Sequence, residues 1–325
     1  MVIILRYILM ILLAFIVPGI INKTKAKCAG RKGASILQPT IDIIKLLKKS
    51  AVISTSTSAV FILAPSITLA SVLCAGLVVP IAGLKPILSF SGDLIFFAYI
   101  LGIGRFFTII AALDTASAFE GMGASREAAF SMFLEPSMFF VFGSLAMFTG
   151  VASFNEIFAI LSSDAIPNDP GVILNIIDTL KSWIHPTNSM VVVVCSNIII
   201  LLAILVEASR MPFDDPNTHL ELTMIHEVMV LDNSGPDLAM INIASSLKIT
   251  VLASLITGLL IHNGHNSPVA ALFLYIVFIV LVAIVIGLIE SMVARIRLTH
   301  IPQYLIAASA IGITVFMIMI AGKMI

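Results

Sequence analysis

The sequence contains few charged residues. Only 11% of its 325 residues are Asp, Glu, Lys or Arg, whereas 59% are hydrophobic. A soluble domain of this length needs far more polar surface, so the composition excludes a soluble protein and indicates a polytopic helical membrane protein. The formal net charge is zero, which excludes the strongly basic surface with which proteins bind nucleic acids.

Cysteine is scarce as well. Cys28, Cys74 and Cys195 are the only three, and no two of them have C-x-x-C spacing. An iron–sulfur cluster needs about four thiolates, so this chain cannot hold one alone. The sequence also lacks the G-x-G-x-x-G and Walker patterns of nucleotide sites. We therefore expect no cofactor bound by this chain, and any redox chemistry must take place in partner subunits.

Eight apolar runs predict an all-α fold with eight transmembrane helices, which form a single membrane domain over residues 1–325. The second run is longer than the roughly 20 residues that a bilayer requires, so we expect it to be either tilted or broken, with Pro65 as the candidate position of a break. Gly121 and Gly123 predict an exposed turn before a helix that Ser125 caps. No internal repeat is visible. The runs are residues 1–21, 52–82, 93–113, 128–152, 189–206, 238–261, 269–293 and 301–321.

Lysine and arginine are unevenly distributed over the predicted loops. Twelve lie on one side of the bundle and four on the other, so the positive-inside rule makes the richer side cytoplasmic. The N-terminus is then outside, and residues 22–51 and 207–237 form cytoplasmic loops. Residues 38–49 combine an apolar helical stripe, which includes Ile41 and Ile44, with lysines elsewhere. This pattern predicts an amphipathic helix that lies in the membrane interface.

Several ionisable residues fall inside the predicted spans, where each costs roughly 2.5–3.5 kcal/mol at the bilayer centre. Two interpretations remain open. The residues form structural ion pairs, with Lys248 neutralising an acid such as Glu135. Alternatively, they form a proton-conducting row of carboxylates whose pKa values Lys248 adjusts. The residues are Arg105, Glu135, Glu207, Lys248 and Glu290.

The segment 207–237 holds seven of the eighteen acidic residues and lies between two apolar runs. An acid cluster in this position indicates a place where protons, ions or a charged partner meet the bilayer. His219 and His226 lie in the same segment, seven residues apart. A metal pair normally needs closer spacing, so a polar loop role or a proton-relay role fits them better.

Four segments resemble one family of membrane proteins. They are AGRKGASILQPTIDIIKLLKK, RFFTIIAALDTASAFEGMGASREAAFSMFLEP, VEASRMPFDDP and LIESMVARIRL. The sequence is similar to the membrane anchor subunit shared by respiratory complex I (its H subunit, mitochondrial subunit 1) and the energy-converting group 4 nickel–iron hydrogenases. LDTASAFEGMGASRE and Lys248 resemble the hydrogenase branch, which includes formate hydrogenlyase subunit 4 and hydrogenase-4 component C. Asp232 and Asn233 stand where the family has Glu and Tyr.

The resemblance implies a non-catalytic subunit that docks a soluble redox arm and links it to ion translocation in the cytoplasmic (inner) membrane of a prokaryote. The implied partners are a hydrogenase-like large subunit and an iron–sulfur small subunit on the cytoplasmic side, with antiporter-like membrane subunits alongside. Iron–sulfur clusters and the nickel–iron (NiFe) centre would belong to these partners. One alternative is the H subunit of a quinone-reducing, complex I-type NADH dehydrogenase. A freestanding transporter is another, although the missing repeat counts against it.

Two groups of residues are candidates for these roles, and none of them is expected to be catalytic or to bind a metal. The expected proton path comprises Glu135, Glu207, Glu221, Asp232, Lys248 and Glu290. The expected docking or loop residues are Arg31, Lys32, Lys45, Arg126, Arg210 and Asp214.

Overall fold

The computed structural model describes residues 2–163, 188–214, 224–260 and 268–324. Within these ranges the regular elements are helices, apart from an isolated β-bridge between Ile81 and Leu84. The helices are α1 (Val2–Cys28), α2 (Gln38–Leu47), α3 (Ala59–Val78), α4 (Asp93–Asp114), α5 (Ala118–Thr149), α6 (Phe154–Ser163), α7 (Asn188–Glu207), α8 (His226–Met229), α9 (Gly235–Leu260), α10 (Pro268–Met292) and α11 (Ile301–Met324).

Seven of the described helices are long and apolar enough to cross a membrane: α1, α3, α4, α5, α9, α10 and α11. Helix α7 contains a shorter apolar run, Val191–Glu207. The chain is thus an all-α, multi-pass membrane protein, as predicted, and the eight apolar runs correspond to these seven helices and α7. The candidate break at Pro65 is wrong, because α3 continues through it. Proline is tolerated inside membrane helices where neighbouring groups satisfy the freed carbonyl.

Helix α5 starts earlier than the sequence predicts. It begins at Ala118 and passes without interruption through Gly121 and Gly123, so the expected turn is absent and Ser125 lies inside the helix. The physical reason is packing. A Cβ at position 123 would collide with the side chain of Val228 in α8. Gly123 therefore allows close helix contact and does not serve as a turn residue.

Helix α9 lies at the centre of the bundle. It contacts α1, α3, α7 and α10, and 83% of its apolar window is buried, compared with 28–44% for the other spans. The outer helices pack mainly as pairs, α3 with α4, α5 with α11 and α1 with α10. Polar groups on α9 consequently have partners inside the protein. For example, the hydroxyl of Ser254 lies 2.8 Å from the hydroxyl of Tyr275 in α10. A charge on α9 is shielded from lipid by its neighbours.

Helix α2 lies on the surface with its apolar stripe turned outward. Ile43 is buried against the rest of the chain, whereas Ile41, Ile44 and Leu47 are 41–48% exposed. This arrangement agrees with the amphipathic helix predicted for residues 38–49. The outward stripe is the face that an interfacial helix buries in the headgroup region.

Helices α3 and α4 approach closely at Gly104, where a Cβ would overlap the hydroxyl of Ser71, whereas the Cβ position of Gly102 has nothing within 4 Å. We predict that Gly104→Ala destabilises the protein by roughly 1–3 kcal/mol through overpacking. Gly102→Ala should be neutral or stabilise by up to about 1 kcal/mol, because alanine is the better helix former. Thermal unfolding of the detergent-purified protein measures both, and equal effects would contradict the packing explanation.

Candidate functional site

A network of five charged side chains lies inside the bundle. Arg105 of α4 is its centre and contacts three carboxylates. Its Nη1 lies 2.7 Å from Glu135 Oε1, its Nε lies 3.7 Å from Glu127 Oε1, and its Nη2 pairs with Glu207 Oε1. The second oxygen of Glu207 lies 3.2 Å from Lys248 Nζ. We call these five residues the Arg105 network.

The Arg105 network is assembled from four helices. Glu127 and Glu135 are eight residues apart on α5, about two helical turns, so both reach the side that faces α4. Glu207 is the last residue of α7, and Lys248 lies in the middle of the central helix α9. A side chain from each helix is therefore needed to complete the network.

Charge within the Arg105 network does not balance. Three carboxylates and two cations leave one excess negative charge if all five groups are ionised. The side chains of Arg105, Lys248 and Glu207 are buried, and only Glu135 is half-exposed. An excess charge away from water is unfavourable. Neutralisation of one carboxylate would remove the excess charge without any change of partners.

A second cluster surrounds Glu290 of α10, whose side chain is buried. One carboxylate oxygen lies 3.5 Å from Lys25 Nζ of α1, and the other lies 3.5 Å from Arg210 Nη1 just beyond α7. These three residues, the Glu290 cluster, contain two cations and one acid. They join the ends of three helices at the side of the bundle where the segment after α7 begins.

Asp214 fixes that segment to α8. One of its oxygens accepts hydrogen bonds from the backbone N–H groups of Ile225 and His226, at 3.2 and 2.9 Å. Its other oxygen lies 3.3 Å from Arg295 Nη2. Asp214 thus connects the end of α7, the short helix α8 and the loop after α10.

A polar cavity of about 260 Å³ opens between α1, α2 and this segment. His226 and Glu227 of α8 line it. Burial lowers the pKa of His226 to about 4, assisted by the positive charge of Lys248 and opposed by Asp214. Burial and the charge of Asp214 raise the pKa of Glu227, while Arg210 opposes this effect. Both groups are shifted toward their uncharged forms, and the interaction of His226 with Lys248 connects the cavity wall to the Arg105 network.

The structure brings some of the expected proton-path residues together and separates others. Glu135, Glu207 and Lys248 belong to the Arg105 network, but Lys248 contacts Glu207 and not Glu135. Glu290 lies in its own cluster. Asp232 is exposed, and Glu221 lies outside the described residues.

The expected docking residues are distributed over one end of the bundle. Arg31, Lys32 and Lys45 are exposed. Arg126 donates from Nη1 to the carbonyl of Met224 at 2.8 Å, which ties α5 to the segment before α8. Arg210 and Asp214 are engaged inside the protein, as described above, and so have structural contacts in addition to any docking role.

Three ionisable residues of the interior are not among the expected site residues. Arg105 lies at membrane depth in the sequence but is absent from the expected proton path, although it is the centre of the Arg105 network. Glu127 and Glu120 were not singled out. Glu120 is fully buried, and its Oε1 accepts the backbone N–H of Asp232 at 2.9 Å. The available signal was the spacing of seven and eight residues among Glu120, Glu127 and Glu135, which places acids along one side of a helix.

Among the described residues, no group of three or more His, Cys, Asp or Glu side chains has an arrangement that could hold a metal ion. Cys28 is exposed, and Cys74 and Cys195 are partly buried free thiols.

Comparison with known proteins gives consistent matches. A family model described as NADH dehydrogenase matches residues 1–322. Formate hydrogenlyase subunit 4 of Escherichia coli (strain K12) is 28% identical over 313 residues, which cover 94% of each chain. Hydrogenase-4 component C of the same organism is 26% identical over 294 residues, 89% of this chain and 85% of the relative. The H subunit of NADH-quinone oxidoreductase from Polaromonas naphthalenivorans (strain CJ2) is 28% identical over 243 residues, 74% of this chain and 63% of the relative.

A chain from the structure of the membrane-bound sulfane sulfur reductase, an archaeal respiratory membrane complex, has a TM-score of 0.76 at 19% sequence identity. The match covers 97% of this chain and all of the other. At this level of identity the likeness establishes a shared fold.

Arg105 and Lys248, the two cations of the Arg105 network, have different numbers of carboxylate partners. This difference predicts how strongly the loss of each cation affects the protein. Arg105→Gln removes the partner of three carboxylates, whereas Lys248→Gln removes the partner of one. Loss of one partner of a buried pair costs roughly 3–5 kcal/mol, so Arg105→Gln should reduce the assembled protein in membranes more than Lys248→Gln. Quantitative immunoblotting and thermal unfolding measure this. A greater loss of assembled protein for Lys248→Gln than for Arg105→Gln would show that Arg105 is not the centre of the network.

Proposed function

Because the chain belongs to the NADH dehydrogenase subunit 1 family, we propose that it is the membrane anchor and proton-coupling subunit of an energy-converting group 4 nickel–iron hydrogenase, of the formate hydrogenlyase type. The two relatives with the broadest coverage among those described above support this branch, since they are hydrogenase and formate hydrogenlyase components. The proposed location is the inner membrane of a prokaryote, with the N-terminus outside.

The observation that carries the proposal is the buried Arg105 network with its excess acid. A purely structural set of ion pairs would be expected to balance its charges, because an uncompensated buried charge reduces stability. A network that alternates between two protonation states instead benefits from the imbalance. The chain has three separate cysteines, so the proposed redox reactions take place in partner subunits that hold the iron–sulfur clusters and the nickel–iron centre.

The surface around α2 supports docking of a soluble arm. Arg31, Lys32 and Lys45 are exposed at the same end of the bundle as the Glu290 cluster. Complementary charge at such a rim accelerates association and fixes orientation. The proposed partners there are a hydrogenase-like large subunit and an iron–sulfur small subunit, with antiporter-like subunits alongside in the bilayer.

The segment 207–237 provides the proposed link between the arm and the membrane. Its residues Asp214 and His226 are joined by a hydrogen bond, and His226 interacts electrostatically with Lys248. A shift of α8 upon a redox event in the arm would change the field at Lys248. The Lys248–Glu207 pair would then gain or lose its proton, which neighbouring subunits take up or supply.

A second function is favoured by a different observation. The similarity to the H subunit of NADH-quinone oxidoreductase, together with the polar cavity of about 260 Å³ beside α2, supports a place in a quinone-reducing complex of the complex I type. In that case the cavity would be part of a quinone chamber.

Purification of the intact complex through a tag on this chain distinguishes the two functions. We predict that the complex contains nickel, measured by inductively coupled plasma mass spectrometry, and that it evolves hydrogen from a reduced electron donor. A complex without nickel that reduces a quinone, and that quinone-site compounds inhibit, would establish the second function instead.

Charge balance in the Arg105 network predicts the effect of Glu207→Gln. The variant leaves two carboxylates and two cations, so the excess acid is gone and the network has no proton to exchange. Removal of a proton-transfer group typically costs 100-fold or more in rate, so proton movement should fall by about that factor. The assay is acidification or alkalinisation in proteoliposomes that contain the complex, with assembly verified by gel filtration.

Glu156→Gln is the matched control, because Glu156 is exposed on α6 and belongs to neither cluster. It should leave proton movement unchanged. We predict that Glu221→Gln, in the acidic segment, also reduces coupling. Full coupling in both Glu207→Gln and Glu221→Gln would assign the carboxylates a structural role.

A further inference from the structure

The short helix α8 depends on other elements for its position. It comprises only four residues, His226–Met229, and a single helical turn has almost no stability of its own. Its inner side is nevertheless closely packed, since Val228 and Met229 are 0% and 2% exposed. The packing surface is α5, where a Cβ at Gly123 would collide with both side chains. Contacts with α5 therefore help to decide where α8 lies.

Two side chains of α5 hold the backbone on either side of α8. Arg126 Nη1 donates to the carbonyl of Met224, two residues before α8, at 2.8 Å. Glu120 Oε1 accepts the backbone N–H of Asp232, three residues after α8, at 2.9 Å. Both contacts involve main-chain groups, so they fix the path of the chain. Together with the packing at Gly123, they attach α8 to the first turns of α5.

The chain just beyond Asp232 has a separate attachment. Ser234 Oγ accepts the backbone N–H of Val52 at 2.8 Å. A Cβ at Gly235 would lie 2.7 Å from the carbonyl oxygen of Ser50, so the two backbones are in close contact. Because these contacts do not involve Glu120, we expect the start of α9 to stay in place when Glu120 is replaced.

The same part of α5 also reaches the Arg105 network. Glu127 follows Arg126 directly in the chain, and its Oε1 lies 3.7 Å from Arg105 Nε. Neighbouring residues of one helix thus contact the segment before α8 and the centre of the network. Successive turns of an α-helix are joined by hydrogen bonds, so the first turns of α5 move together. A displacement of α8 would consequently reach Arg105 through α5.

The burial of Glu120 argues against an incidental role. The residue is fully buried, and a carboxylate without access to water is unfavourable. An apolar residue would fill the same space without this penalty. The hydrogen bond from the Asp232 N–H offsets part of the penalty, and it is the contact that only an acceptor at position 120 can make.

We propose that Glu120 and Arg126 are positioning residues, which hold α8 against α5 so that a displacement of α8 reaches Arg105 through Glu127. The proposal rests on the proton-coupling function given above and specifies how the acidic segment acts on the Arg105 network. It adds a mechanical connection through α5 to the electrostatic interaction between His226 and Lys248. Neither positioning residue transfers a proton.

The test replaces Glu120 of the intact complex in two ways. Glu120→Leu removes the acceptor of the Asp232 N–H at similar side-chain volume, whereas Glu120→Gln keeps a carbonyl oxygen in its place. In proteoliposomes, Glu120→Leu should reduce the number of protons moved per redox turnover to less than about half of the wild-type number. Glu120→Gln should retain the wild-type number. The matched control is Ser125→Ala, at an exposed position of the same helix, and it should have no effect.

Arg126→Met tests the other contact. The variant keeps an unbranched side chain but removes the donor to the Met224 carbonyl, so it should lower the number of protons per turnover as Glu120→Leu does. Full coupling in either Glu120→Leu or Arg126→Met would overturn the proposal. An equal loss of coupling in Glu120→Leu and Glu120→Gln would overturn it too, because the charge of Glu120 would then matter and not its hydrogen bond.

Hydrogen–deuterium exchange of the wild-type complex tests the attachment without a variant. The Asp232 amide should exchange slowly, because its N–H is bound by a buried carboxylate. Mass spectrometry with electron-transfer fragmentation resolves this amide, and exchange as fast as in an unstructured peptide would overturn the proposal. A wild-type complex that protects the Asp232 amide but moves no protons would refute the proposed function, and with it the coupling role of Glu120, while confirming the attachment of α8.

Discussion

The contact of Arg105 with three carboxylates is the interaction on which the interior of this protein depends. A guanidinium group has five N–H donors in a planar fork, so one side chain can serve carboxylates on α5 and α7 simultaneously. The side chains of Arg105 and Glu207 are buried, so bulk water is not an alternative partner for their charges. The relative positions of α4, α5 and α7 are consequently constrained by the requirement that their charges meet.

The central helix α9 explains why the network lies where it does. Lys248 is on the most buried of the seven long apolar helices described, and its charge is compensated by Glu207 at the end of α7. Glu207 therefore accepts from two cations on two different helices. Protonation of the Glu207 carboxylate would weaken its contacts with Arg105 and with Lys248 at the same time, so the two contacts would change together.

The described residues that follow Glu207 join it to the Glu290 cluster and to α8. Arg210 pairs with Glu290, and Asp214 holds α8 through two backbone N–H groups. His226 of α8 is kept uncharged at neutral pH by burial and by the positive charge of Lys248. Helix α8 is thereby linked to the end of α7 by hydrogen bonds and to Lys248 of α9 by electrostatics.

The sequence by itself determined the class of the protein, because a hydrophobic fraction of 59% and long apolar runs have no other stable solution than helices in a bilayer. The apolar periodicity of the sequence also determined the amphipathic character of α2. Charged residues are rare inside membrane spans, and this rarity identified Glu135, Glu207, Lys248 and Arg105 as candidates. The sequence did not determine which of these residues pair. Pairing depends on helix rotation and on contacts between helices far apart in the chain, and hydrophobicity is almost uniform around most spans. Only the tertiary structure decided that Lys248 meets Glu207, that Arg105 joins three acids, and that Gly123 permits helix packing, because these outcomes depend on which helix faces lie against each other.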